Sequence, residues 1–156
     1  MKIYIAAPIS GMTNEAVFNY FQGASSRLGH MGYEVLSPLS AKGYFRTEKH
    51  KHYVFQGQGY TYPTSTDHAI YTRDKWMVSL CDVVYANLTF RDGGEKVSIG
   101  TIHEMAWGAL LGKHVVVAMG ESNPHIHAFV LEDASILLPT HTEAMQYLEK
   151  LITNAV

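Results

Sequence analysis

Apolar positions along the chain switch between two periods, and the switches mark the elements. Residues 2–6 (KIYIA) form a short run rich in Ile and Tyr that Ala7-Pro8 closes, the signature of a strand. After a loop over residues 8–14, apolar side chains recur at Val17 and Phe18, Phe21, Ala24, Leu28 and Met31. That three-to-four spacing predicts an amphipathic helix, with Gly32 as its stop and residues 33–36 as a second strand. Further on, the pattern predicts a helix over 67–80, a strand over 83–87 and a helix over 99–111 stopped by Gly112. Residues 114–119 (HVVVAM) are nearly all apolar, as a central parallel strand should be. A short helical or irregular stretch follows, then a strand-like 136–138. Thr140 and Glu143 have capping-box spacing before a last helix to about Ile152. Strands alternating with helices imply an α/β fold whose parallel sheet is covered on both faces. In such sheets the site lies at the carboxyl ends of the strands, here the loops after Ala6, Leu36, Asn87 and Met119.

Residues 37–66 break the pattern: no helical or alternating period, and too long for an ordinary connection. One reading is a poorly ordered surface excursion. The aromatics Tyr44, Phe45, Tyr53, Phe55, Tyr60 and Tyr62 favour the other, a lid over a site. Composition narrows the class. A chain of 156 residues with 47% hydrophobic and 17% charged residues has the length of one domain and can bury a substantial core. The formal net charge of −2 argues against a protein that coats nucleic acid, though not against one that binds a single nucleotide. Cys81 is the one cysteine, which excludes an internal disulfide and fits a reducing compartment. No apolar run approaches the ~18 residues of a membrane span, and Met1-Lys2 leads straight into a strand. The expectation is a soluble, cytoplasmic protein with no membrane partner.

Charges in costly places point to chemistry. Asp74 falls on the buried stripe of Ile70, Met77, Val78 and Cys81. A carboxylate there needs a partner or a function; Arg73 and Lys75, as helix neighbours, are expected to point away. Site chemistry is the favoured reading, while Asp82 is read as marking the helix-to-strand turn. Glu104 stands in the run Ser98-Ile99-Gly100-Thr101-Ile102-His103-Glu104, with Gly100 and Gly108 one turn to either side. The glycines either clear space for another molecule beside the carboxylate or serve helix–sheet packing; position alone leaves these balanced. Ser98 with the N–H groups of Ile99, Gly100 and Thr101 forms either an anion-accepting helix start or an ordinary N-cap, and from Ser98 alone the N-cap is the favoured reading. Ser10-Gly11 offers a second set of N–H groups, but no Walker or dinucleotide glycine pattern is present, which disfavours ATP or NAD. Nine histidines invite a metal, yet His50/His52 and His125/His127 lack zinc spacing. The second pair follows a strand end and suits a site, either this chain's own or that of a neighbouring subunit. Cys81 has no evident activating base, so a thiol nucleophile is not expected.

These pieces together resemble the nucleoside 2-deoxyribosyltransferase superfamily, which includes 2'-deoxynucleoside 5'-phosphate N-hydrolases and nucleotide N-glycosidases. The resemblance rests on residues 3–11 (IYIAAPISG), on Arg73-Asp74 with residues 81–87 (CDVVYAN), and most of all on residues 98–104 (SIGTIHE). It covers most of the chain outside the Tyr-rich insertion. It implies a flavodoxin-like (Rossmann-like) domain of about five parallel strands. It also implies Glu104 as a nucleophile that attacks the anomeric carbon, and Asp74 as the group that assists departure of the base. A covalent glycosyl-enzyme would divide one hard step into two easier ones, with configuration retained. Water would resolve it in a hydrolase, a second base in a transferase.

The resemblance further implies substrate contacts from Pro8, Ile9, Ser10, Gly11, Asn87, Ser98, Gly100 and Thr101, with no cofactor and no metal. Transferases of the superfamily commonly carry an aspartate six residues before the glutamate; here that position is Ser98. An aspartate would repel a 5'-phosphate, whereas a serine at a helix start accepts one, so the sequence leans towards a nucleoside 5'-monophosphate. A neighbouring subunit commonly completes the site near residues 123–128, where His125 and His127 are the candidates, so a homodimer or larger assembly is expected. The alternatives are base exchange between deoxynucleosides and, from another class, a nucleotide-binding module without catalysis.

Overall fold

In the computed structural model, residues 1–40, 66–91 and 96–154 are described. The proposed lid over residues 37–66, with its six aromatics, lies outside them except for a turn over 37–40 and the helix cap at Thr66. His50 and His52 also lie outside.

The elements follow in strict alternation: β1 (Lys2–Ala6), α1 (Asn14–His30), β2 (Glu34–Leu36), α2 (Asp67–Leu80), β3 (Val83–Asn87), α3 (Ile99–Leu110), β4 (His114–Ala118), α4 (Ala128–Asp133), β5 (Ile136–Leu138) and α5 (His141–Thr153). The five strands form one sheet in the order β2-β1-β3-β4-β5, with every neighbouring pair parallel. The expected α/β architecture with about five parallel strands is therefore the observed one.

Alternation along the strands divides the core in two. Ile3, Ile5, Val83, Tyr85, Val116 and Ala118 face α1 and α5, meeting Val17, Phe21, Leu28, Met145 and Leu148. Tyr4, Ala6, Val84, Ala86, Val115 and Val117 face the other way, against Met77 and Val78 of α2, Met105 of α3 and Val130 of α4. Burial of both faces explains the all-apolar strands.

Local signals set the helix ends. Thr13, Thr66 and Thr140 each accept a hydrogen bond from the backbone N–H three residues on, starting α1, α2 and α5. The Thr140 hydroxyl also donates to Glu143 Oε2 at 2.7 Å, which completes the expected pairing. Gly32 and Gly112 adopt φ of 103° and 67°, the left-handed geometry in which a following N–H closes back onto the last turn. Lys113 N–H, for example, donates to the Gly108 carbonyl at 2.9 Å. Tyr33, expected in β2, instead closes α1 through its N–H to Leu28, and its hydroxyl donates to the Leu148 carbonyl. Among the described residues, no helix is long and apolar enough to cross a membrane.

Candidate active site

The strand order reverses direction at β1, which has β2 on one side and β3 on the other. Such a switch point leaves a crevice at the strands' carboxyl ends. α3 packs over β1 and β3 there, with α2 beside it. A cleft of about 270 Å³ opens between the two helices, lined by Asp67, Ile70, Tyr71 and Asp74 of α2 and by Gly100, His103, Glu104 and Trp107 of α3. That is near the lower end of the ~300–1,000 Å³ usual for small-molecule sites.

Glu104 is the buried charge at its floor, only 6% exposed. The Tyr4 hydroxyl, from the middle of β1, donates to Glu104 Oε1 at 2.6 Å. Burial raises the Tyr4 pKa well above its usual value, and the charges of Glu104 and Asp74 raise it further, against a smaller opposing effect of Arg73. The phenol therefore stays protonated and serves as a fixed donor to the carboxylate. Sequence reading missed this partner. Its trace was a single phenol in an otherwise aliphatic strand, since a buried tyrosine hydroxyl must find a bond.

Asp74 is equally buried, at 6% exposure. Its Oδ1 accepts from Arg73 Nε at 3.1 Å and from Arg73 Nη2 at 3.0 Å. This corrects the expectation that Arg73 points away. Adjacent helical residues diverge at Cβ, but the long arginine side chain curls back, and its Nη2 also donates to the Pro38 carbonyl at 3.4 Å. The ion pair reduces the cost of burying Asp74 while leaving the residue on the cleft wall.

The two glycines flanking Glu104 have different roles. A Cβ on Gly108 would meet Val84 Cγ2 at 2.8 Å and Val115 Cγ2 at 3.2 Å, so this glycine lets α3 lie close against the sheet. Gly100 has open space around it and lines the cleft. The packing reading holds for Gly108, and the clearance reading fits Gly100.

Ser98 stands at the start of α3 but gives it no side-chain cap. Its Oγ lies 2.9 Å from the Oγ1 of buried Thr101, so the hydroxyl is not spent on the first-turn N–H groups. After β1, Pro8, Ile9, Ser10 and Gly11 enter a tight turn that Met12 N–H closes onto the Ile9 carbonyl at 3.1 Å. Pro8 is buried, Ile9 packs on the α1/α5 side of the core, and Ser10 and Gly11 are exposed.

Like residues 8–11, three further expected contacts lie outside the cleft lining. Asn87, at the end of β3, is turned to the α1/α5 face. There its Oδ1 accepts from Thr89 N–H and hydroxyl, and its Nδ2 lies 3.3 Å from His141 Nδ1. His127 is exposed and caps α4, accepting from Phe129 N–H. His125 is buried, with both ring nitrogens bonded within the chain. Cys81 is also buried; burial pushes its thiol up, and its Sγ donates to the Val78 carbonyl.

No protein family matches the sequence, and neither does any curated protein. Solved structures do match the fold. A 2-deoxyribosyltransferase from Bacillus psychrosaccharolyticus is similar over 94% of this chain and 92% of its own, at 16% identity and a TM-score of 0.62. A CMP N-glycosidase from Clostridium botulinum aligns over 97% of each chain at 15% identity, with a TM-score of 0.56. A conserved protein from Enterococcus faecalis V583 covers 100% of this chain and 99% of its own, at 14% identity and a TM-score of 0.63. This chain thus has the fold that a deoxyribosyltransferase and a nucleotide N-glycosidase share.

Proposed function

We propose that this protein cleaves the N-glycosidic bond of a (2'-deoxy)nucleoside 5'-monophosphate, releasing free base and sugar 5-phosphate. The observation that carries the reading is the buried Glu104, aimed by the Tyr4 hydroxyl at the floor of a cleft that Asp74 also lines. A protein that only bound a nucleotide would have little use for two carboxylates held out of water at such cost. Two fold neighbours, a 2-deoxyribosyltransferase and a CMP N-glycosidase, support the N-glycosidic bond as the target.

In this account a Glu104 oxygen attacks the anomeric carbon as the bond to the base breaks. The bonding pair leaves with the base, whose departure Asp74 assists. Tyr4 keeps the carboxylate oriented throughout, so its reorganisation is completed before reaction. Water then attacks the same carbon and the Glu104 carboxylate leaves; the proton that water gives up balances the one the departed base takes up, and configuration is retained overall. Support for the phosphate comes from the start of α3, where Ser98 leaves the helix without a side-chain cap and adds no negative charge. Ile70 and the edge-to-face pair of Tyr71 and Trp107, with ring centroids 5.1 Å apart, give the cleft an apolar wall suited to a base. No cofactor enters this chemistry.

The protein is further proposed to act as a homo-oligomer in the cytoplasm. Leu110 of α3 and Phe129 of α4 are 83% and 75% exposed, on two helices that pack together, which suits a face covered by a second copy.

The test is product analysis with the common nucleosides and their 5'-monophosphates, ribo and deoxy, with and without a free acceptor base. Free base and sugar phosphate from monophosphates alone support the proposal. Exchanged nucleosides from unphosphorylated donors would make the protein a transferase.

A further inference from the structure

We propose that His125 is a positioning residue that holds the first turn of α3 in place through the N–H of Ser98, and that it does so only as a neutral imidazole. The catalytic part of this inference rests on the nucleotide N-glycosidase reading; the structural part does not.

His125 is 1% exposed, on the loop after β4. Its Nε2 accepts the Ser98 N–H at 2.8 Å. Its Nδ1 lies 2.6 Å from Asn123 Oδ1, which also accepts the His125 backbone N–H at 3.0 Å. Asn123 Nδ2 in turn donates to the Leu88 carbonyl at 2.7 Å, just past the end of β3. These bonds fix the tautomer. An atom that accepts an amide N–H carries no proton, so the proton sits on Nδ1 and goes to Asn123 Oδ1. The asparagine cannot turn round, because its amide nitrogen is committed to Leu88.

One chain of bonds thus joins the end of β3, the loop after β4 and the start of α3. The last carries Gly100 and Glu104 into the cleft. Ser98 gives the helix no side-chain cap, so its own N–H, held by His125, is the tie that seats this end. An imidazolium cannot make that tie, since a proton on Nε2 would face the Ser98 N–H donor to donor. The neutral form is favoured by burial first and by the Arg91 cation second, both of which lower the His125 pKa. Ser98 and Asn123, which bond the two ring nitrogens, carry no charge.

Two readouts test this on the full chain, comparing wild type with His125→Gln and His125→Ala. Glutamine keeps a carbonyl for Ser98 and an amide for Asn123 but does not titrate. The first readout is the amide-exchange protection of Ser98, measured by NMR from neutral pH down to the acid limit of the folded chain. Wild type should lose protection in acid by about tenfold or more, the scale of losing a buried acceptor. His125→Gln should show no such loss, and His125→Ala should lack the protection at every pH. The second is KM for a nucleoside 5'-monophosphate, which should rise more steeply in acid for wild type than for His125→Gln, both sharing the titration of the substrate's own phosphate at about pH 6. Ser98 protection that does not change with pH in wild type, or an acid loss retained in His125→Gln, would overturn the proposal. Should no monophosphate be cleaved, the N-glycosidase reading fails, while the exchange data still decide on His125.

Discussion

Tyr4 and Glu104 lie 100 residues apart in sequence and share one 2.6 Å hydrogen bond in the core. Replacing Tyr4 by Phe removes the donor and leaves a buried carboxylate oxygen without it, a loss of about 1–3 kcal/mol. Turnover by Tyr4→Phe should fall about 5- to 150-fold with the fold retained, measured by steady-state kinetics beside circular dichroism. An unchanged kcat would show that the phenol does not aim the carboxylate. Asp74 was legible as a charge on an apolar stripe, and Glu104 through the glycines one turn to either side of it. Their partners were not: the Tyr4 bond depends on how α3 lies over β1, which no local spacing reports. The Arg73–Asp74 pair was misjudged because a Cβ direction does not limit a side chain as long as arginine's.

At the scale of the element, α3 concentrates the consequences. Gly108→Ala forces a methyl group against Val84 and Val115, so thermal or denaturant unfolding should show a loss of about 1–3 kcal/mol. Gly100→Ala meets no such obstacle and should gain up to about 1 kcal/mol of helix stability. Its methyl group would narrow the cleft, so KM should rise as stability improves. Ser98→Asp should raise KM for monophosphates by at least about tenfold through charge repulsion, and leave unphosphorylated nucleosides far less affected. Equal effects on both donors would remove the phosphate from this helix end. Most element bounds were legible because capping residues and glycine stops act locally. α1 begins at Asn14, before the first periodic apolar residue Val17, because Thr13 sets the cap.

For the whole molecule, strand alternation and the nearly all-apolar β3 and β4 made the covered parallel sheet readable, and the switch point beside β1 then placed the cleft. Which face each strand-end side chain takes was harder to see, as Asn87 shows. It continues the Val83 and Tyr85 face and so meets His141 rather than Glu104. Buried His125 and part-buried His141 also link the fold to pH. His125 and His141 both have pKa values lowered, by burial first and by Arg91 and Arg27 respectively. The unfolded chain therefore binds protons more readily in the interval below the ordinary histidine value of 6.5. Their contribution to stability is complete above that value and is lost as pH falls through the lowered folded values. Denaturant melts across this range should show it, and His125→Gln should shrink the slope.

The central claim is that Glu104 forms a bond to the sugar. Rapid acid quenching during turnover of a cleaved monophosphate, followed by peptide mass mapping, tests it most directly. A sugar-phosphate mass is expected on the peptide carrying Glu104, absent from Glu104→Ala, whose turnover should fall by about 10³-fold or more. Undiminished cleavage by Glu104→Ala, with no adduct in wild type, would contradict it.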